Sequence, residues 1–175
     1  MELTIKNCGM EHLEPLTEFY YKVTGFLDTH INYPKWAHGI YPGRESIRAA
    51  IESGTQYSCE CEGRTVGAFV FNTDPAGSYY KGEWQRQLED GEYMVIHTLA
   101  VDPDENGKGI ASNMVEYCIN SAKTAGFKAV RLDVVPENYP ARRLYEKAGF
   151  SFAGEKDLDR GIEGIPTFQL FELNF

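Results

Sequence analysis

The chain has 175 residues, of which 42% are hydrophobic and 25% charged, a composition that excludes a disordered chain and predicts a single domain, residues 1–175, with a sizeable core. Its 17 Lys and Arg against 26 Asp and Glu leave a net charge of −9, which repels phosphate backbones, sets nucleic acid aside as a partner and suits a cationic amine or peptide.

Residues 3–6 alternate apolar and polar, as in a short half-buried strand. From Glu11 onward, Leu13, Leu16, Phe19, Tyr20 and Val23 recur at helical spacing, and Gly25 is placed to end that helix. Residues 27–43 hold many aromatics, prolines and histidines with no period and read as a structured loop. Within it Tyr33, Trp36 and Tyr41 suit the wall of a small-molecule pocket, and equally suit packing onto a sheet. Residues 44–53 form a second helix closed by Gly54, and residues 57–62 and 65–72 form a hairpin turning at Glu62-Gly63-Arg64, with Cys59 and Cys61 on one face of its first strand. Residues 73–91 are a long connection of the kind that is functional or mobile; a helical turn is expected around residues 84–88, and a lid is one reading of the whole.

Residues 93–101 are a β-branched, aromatic and aliphatic run too short for a helix, stopped by Asp102-Pro103. The chain then passes through Gly107-Lys108-Gly109 into Ile110, Met114, Val115, Cys118, Ile119 and Ala122, one apolar helix face. Strand, glycine loop and helix in this order bring unpaired backbone N–H groups and the positive end of a helix dipole to one point, which suits a phosphate or pyrophosphate. A Walker A loop does not fit, because Asp102 stands where its first glycine belongs and Gly109 where its hydroxyl belongs. A dinucleotide fingerprint lacks its third glycine, since Ser112 occupies that place.

Residues 128–135 alternate Val130, Leu132 and Val134 against Arg131 and Asp133 and end at Pro136, as a strand would. A short helix over residues 142–148 follows Asn138 and Pro140 and stops at Gly149; residues 150–154 and 167–173 read as two last strands joined by a polar loop. Cys8, Cys59, Cys61 and Cys118 show no Cys-x-x-Cys spacing, so neither a disulfide framework nor a metal site is indicated. The N-terminus lacks a basic and apolar leader pattern, and no stretch approaches about 18 apolar residues, so a cytoplasmic chain, off the membrane, is expected.

Two motifs carry a family resemblance. The run His97-Thr98-Leu99-Ala100-Val101-Asp102-Pro103 followed by Asn106-Gly107-Lys108-Gly109-Ile110-Ala111 resembles the acetyl-CoA-binding motif of the GCN5-related N-acetyltransferases, Arg/Gln-x-x-Gly-x-Gly/Ala. Asn138, Ala141 and Leu144-Tyr145-Glu146-Lys147-Ala148-Gly149-Phe150 resemble that family's Asn-x-x-Ala-x-x-Leu-Tyr-x-Lys-x-Gly-Phe segment. Asn106 departs from the family's Arg or Gln, which leaves the backbone amides untouched.

The resemblance implies a mixed, mostly antiparallel sheet of about seven strands flanked by about four helices, splayed at the strand before the glycine loop. It implies that the amides of Gly107, Lys108, Gly109, Ile110, Ala111 and Ser112, with Asn106, grip the pyrophosphate of acetyl-CoA. It further implies that Leu99, Ala100 and Val101 pair with pantetheine and that the Leu99 N–H holds the thioester oxygen. Asn138 would bind the pantetheine arm, Lys147 a phosphate of the cofactor, and Tyr145 would return a proton to the sulfur. His97, whose reference pKa lies near neutrality and which sits two residues from Leu99 on the same strand face, is the candidate base, with Glu92 as substitute. The reading is an N-acetyltransferase that moves acetyl from acetyl-CoA to a primary amine of a small molecule or peptide by direct attack, without a metal, as a monomer or homodimer. A non-catalytic acyl-CoA sensor is the alternative, and a dinucleotide-binding enzyme a third.

Overall fold

These periods resolve, in a computed structural model that describes Met1–Phe175, into seven strands and four helices. In chain order they are β1 (Thr4–Asn7), α1 (Leu13–Thr29), α2 (Arg44–Glu52), β2 (Gln56–Cys61), β3 (Arg64–Asn72), β4 (Tyr93–Val101), α3 (Ile110–Thr124), β5 (Ala129–Val134), α4 (Tyr139–Lys147), β6 (Ser151–Lys156) and β7 (Phe168–Asn174). The sheet order is β1-β2-β3-β4-β5-β7-β6, and the β4–β5 ladder is parallel in a mostly antiparallel sheet. That ladder joins Tyr93, Met94 and Val95 to Ala129, Val130 and Arg131, while both strands run on past it. No helix is long and apolar enough to cross a membrane.

The chain groups into two compact units, Met1–Phe71 with His97–Tyr117, and Asn72–Ile96 with Cys118–Phe175. In the first, β2 and β3 turn through Glu62 and Gly63, both at positive φ (50° and 75°), the backbone a two-residue hairpin requires. The register shifts between Cys59 and Glu60, where β3 carries one extra residue, Val66; Cys59 is buried and Cys61, beside the turn, is half-buried. Leu13, Leu16, Phe19, Tyr20 and Val23 of α1 and Ile47 and Ile51 of α2 form a core with Cys8, Ala68 and Ala100, against which Leu27 and Trp36 pack.

Helix α1 does not stop at Gly25 but continues to Thr29. Gly25 is there for a close approach: a Cβ would lie 3.0 Å from the His38 ring, whose Nδ1 is 3.1 Å from the Thr24 hydroxyl. The loop after α1 is ordered by Asn32, which donates to the Trp36 carbonyl at 2.7 Å and accepts from its N–H at 3.1 Å.

In the second unit, residues 73–91 are fastened from within. The expected helical turn at residues 84–88 is absent; a 3-10 turn sits at Tyr79–Lys81 instead, and Tyr79 and Trp84 are buried. The reason is long-range: Trp84 Nε1 donates to the Tyr79 carbonyl at 2.6 Å, and its ring lies 4.0 Å from the Arg131 guanidinium, with the Tyr93 ring 4.3 Å away. Arg131, only 1% exposed, donates to the Arg86 carbonyl at 2.7 Å, while its β7 neighbour Glu172 accepts from the Gln85 N–H at 2.7 Å. Such a cation between aromatic faces is worth about 0.5–2 kcal/mol, and here it also satisfies backbone of the connection.

Asp133 of β5 is the second fastening. Arg160 grips it in bidentate fashion, at 2.8 Å for each contact, and the Tyr79 hydroxyl donates to it at 2.6 Å. Arg160 also donates to the carbonyls of Ala76 and Pro75, at 2.7 and 3.0 Å. Removing one partner of a shielded ion pair strands the other charge, so Arg160→Met should lower the unfolding free energy by about 3–5 kcal/mol in urea titration. Arg142→Met breaks an exposed pair with Glu146 four residues on and should cost less than about 0.5 kcal/mol.

Candidate active site

In the first unit, β4 delivers the chain to Asp102, whose carboxylate accepts from the Asp104 N–H at 2.9 Å and so caps a 3-10 turn at Pro103–Glu105. The Asp102 N–H donates to the Val66 carbonyl of β3 at 2.9 Å and secures the strand end. Gly107 and Gly109 follow at φ +80° and +79°, a region that resists side chains, and open space surrounds the place where a Cβ would be. The glycines are thus needed for the backbone path as well as for access to it.

Helix α3 begins at Ile110, and the Asn113 N–H already donates to the Gly109 carbonyl at 3.0 Å. The amides of Ile110, Ala111 and Ser112 precede that bond and are the orphan donors of the helix start. Asn106, Gly107, Lys108 and Gly109 are exposed, so the loop is accessible. The helix is seated close to the sheet because Gly67 of β3 has no side chain: a Cβ there would lie 2.8 Å from the Met114 sulfur.

Local charge does not oppose an anion. Asp102, Asp104 and Glu105 are each met by a cation: Lys22 contacts both Asp102 and Asp104 at 2.7 Å, and Lys108 and Arg64 contact Glu105 at 2.6 and 3.4 Å. The lysine holds the Asp104 carboxyl below its usual range, and Lys108 does the same for Glu105. With the carboxylates neutralised, the amides and the helix dipole set the sign of the field at the loop.

The strand before the loop is irregular. Thr98 has φ +49°, an outlier for a β-branched residue, costing about 1–3 kcal/mol. This break interrupts the alternation on which the shared face of His97 and Leu99 was expected, so their spacing alone no longer aligns them. His97, Thr98 and Leu99 are half-buried and Ala100 is buried, with Val101 half-buried beyond it. Thr98 is the site residue that the sequence concealed, since threonine carries no preference for a left-handed backbone. Trp36 is half-buried and packs against the core of this unit, Tyr33 is half-buried too, and Tyr41 is 48% exposed.

In the second unit, Tyr145 of α4 is buried edge-on against Phe150, with ring centroids 5.6 Å apart. Burial pushes its phenol pKa well up, with smaller contributions from Cys118 and Asp133. Asn138 caps α4, its Oδ1 accepting from the Ala141 N–H at 3.3 Å. Lys147 is exposed in the last turn of α4, where the helix dipole favours a cation in any case. Glu92 is ion-paired to Lys128 and accepts from the Glu89 N–H at 2.9 Å; these contacts hold its carboxyl below the usual range and make it a poor proton acceptor.

A mixed seven-stranded sheet with such a loop defines the acetyltransferase fold. An acetyltransferase of this family from Streptococcus agalactiae has 15% sequence identity and a TM-score of 0.79, covering 99% of this chain and 95% of that one. A structure from Salmonella typhimurium holding its cofactor acetyl-CoA has 17% identity and a TM-score of 0.69, covering 99% and 94%. The family model described as Acetyltransferase (GNAT) family matches residues 15–150, and the chain belongs to that family. An uncharacterized N-acetyltransferase of Methanocaldococcus jannaschii is 30% identical over 159 residues, which span 90% of this chain and 63% of that protein.

Two substitutions test the loop. Gly109→Asp sets a side chain and a negative charge among the amides and should abolish acetyl-CoA binding in calorimetry. Gly109→Ala, which only strains the backbone at φ +79°, should weaken it by about fivefold to tenfold.

Proposed function

We propose that this chain transfers an acetyl group from acetyl-CoA to a primary amine of a small molecule or peptide by direct attack within a ternary complex. The observation that carries this reading is the exposed glycine loop, whose positive-φ backbone opens α3 with unclaimed amides. Those amides suit the pyrophosphate, with Asn138 and Leu99 to Val101 assigned to the pantetheine arm and Lys147 to a cofactor phosphate.

The acetyl group arrives as a thioester. The amine nitrogen forms a bond to its carbonyl carbon while the carbon–sulfur bond breaks, and the amine proton must leave. His97 takes that proton, since the ordinary imidazole pKa of about 6.5 suits a base at neutral pH. Glu92 is a weaker candidate because Lys128 and the Glu89 amide hold its carboxylate ionised. The Leu99 N–H donates to the thioester oxygen as negative charge builds there.

Tyr145, like any phenol, keeps its proton at neutral pH, and burial pushes its pKa further up. A thiol ionises near about 8.5, so a phenol this weakly acidic serves better as a hydrogen-bond donor to the departing sulfur than as a full proton donor. The leaving thiolate then collects its proton from solvent. No covalent acyl-enzyme is required when amine and thioester are held together.

The sensor alternative is favoured by the engagement of Glu92, which leaves one candidate base. Calorimetry with acetyl-CoA and thiol release across a panel of primary amines and peptide N-termini separate the readings: binding and turnover support the transferase, and binding without turnover supports the sensor. With a working amine, kcat/KM should rise with pH as the base and the amine lose their protons. His97→Gln should reduce kcat roughly 10²-fold, and an unchanged kcat would remove His97 as the base. Tyr33→Ala should raise the acceptor KM several-fold more than the acetyl-CoA KM, and equal rises would mean that Tyr33 only packs.

A further inference from the structure

The backbone at Thr98 is held from outside its own strand. A threonine at φ +49° has no local means of stabilising that conformation, so its surroundings must impose it. Tyr20 of α1 supplies the contact: its hydroxyl donates to the Thr98 carbonyl at 2.8 Å across 78 positions of sequence. The ring is 1% exposed and locked edge-on between Phe19 and Trp36, with centroids 5.2 and 6.3 Å away. The donor is held by the packing around its ring.

The Thr98 carbonyl and the Leu99 N–H belong to one planar peptide unit and point in opposite directions. Fixing the oxygen fixes the direction of the N–H. We infer that Tyr20 is a positioning residue: by holding the Thr98 carbonyl it aims the Leu99 N–H, so that this donor is oriented before the reaction begins. The inference rests on the acetyltransferase reading, in which that N–H meets the thioester oxygen. A donor fixed in advance needs no reorientation when charge develops, which is where its contribution to rate arises. Burial pushes the Tyr20 phenol well above its ordinary pKa, so it remains a donor across the working range and adds no limb to the pH profile.

The test uses acetyl-CoA with an amine that the wild-type chain acetylates. Tyr20→Phe keeps the ring and removes the hydroxyl; it should lower kcat roughly tenfold while the acetyl-CoA KM stays within about twofold and the shape of the pH profile is unchanged. Loss of packing alone would lower the folded fraction and leave the ratio of kcat to KM per folded molecule as it was. Asparagine tolerates a left-handed backbone, so in a Thr98→Asn background the Tyr20→Phe loss should shrink below about threefold. If Tyr20→Phe alone does not fold, the double variant decides: kcat within threefold of wild type supports the inference, and a tenfold loss or an unfolded chain overturns it. A Tyr20→Phe enzyme with wild-type kcat, or equal losses in both backgrounds, also overturns it while leaving the acetyltransferase reading intact. A wild-type chain that turns over no amine removes both.

Discussion

One strand serves two cores. β4 sends Tyr93 and Val95 into the cluster of the second unit and Ala100 into that of the first. Val95 and Ile96 are both buried, so the strand is covered on both of its faces at that point. Thr98, two residues further on, has an unfavourable φ, and its carbonyl is held by the Tyr20 hydroxyl. The glycine loop, α3 and the orientation of the Leu99 peptide all follow from where this strand ends and how it is held.

The polar contacts are spent in different ways in the two units. In the second, Arg131, Asp133 and Glu172 reach backbone or side chains of the 73–91 connection and turn a long loop into a fixed part of the core. Within it Pro75, Tyr79 and Trp84 are buried, and residues 85–87 and 89–91 are exposed. In the first unit the cations near the loop cancel carboxylates, while the amides at the start of α3 stay outside the helix hydrogen-bond pattern.

How much could be read beforehand follows the range of the interactions. The turn at Asp102-Pro103, the glycines at 107 and 109 and the helix from Ile110 were legible because each is a local backbone requirement written in residue type. The seven-strand, four-helix architecture was legible for the same reason, with most ends displaced by a residue or two, α4 starting three residues earlier than expected and α1 ending four later. Gly25 misled because a close approach by His38, not chain termination, accounts for it. The fixed path of residues 73–91 was hidden because its partners Arg131, Asp133 and Arg160 lie far along the chain. Thr98 was invisible, since its conformation is imposed by Tyr20 and the strand rather than chosen by threonine. The roles given to His97, Tyr145 and the acceptor-wall aromatics rest on family resemblance and local chemistry.

The two tryptophans divide between the units. Trp36 is half-buried beside Tyr20 in the first, and Trp84 is buried in the second with a guanidinium 4.0 Å from its ring. Indole emission depends on solvent and on nearby charge, so the chain carries one optical reporter for each unit. A variant retaining only Trp36 senses order around the α1–α2 segment, and one retaining only Trp84 senses the anchoring of the long connection. Their denaturation midpoints, compared by fluorescence, would distinguish cooperative melting of the whole chain from sequential loss of its parts.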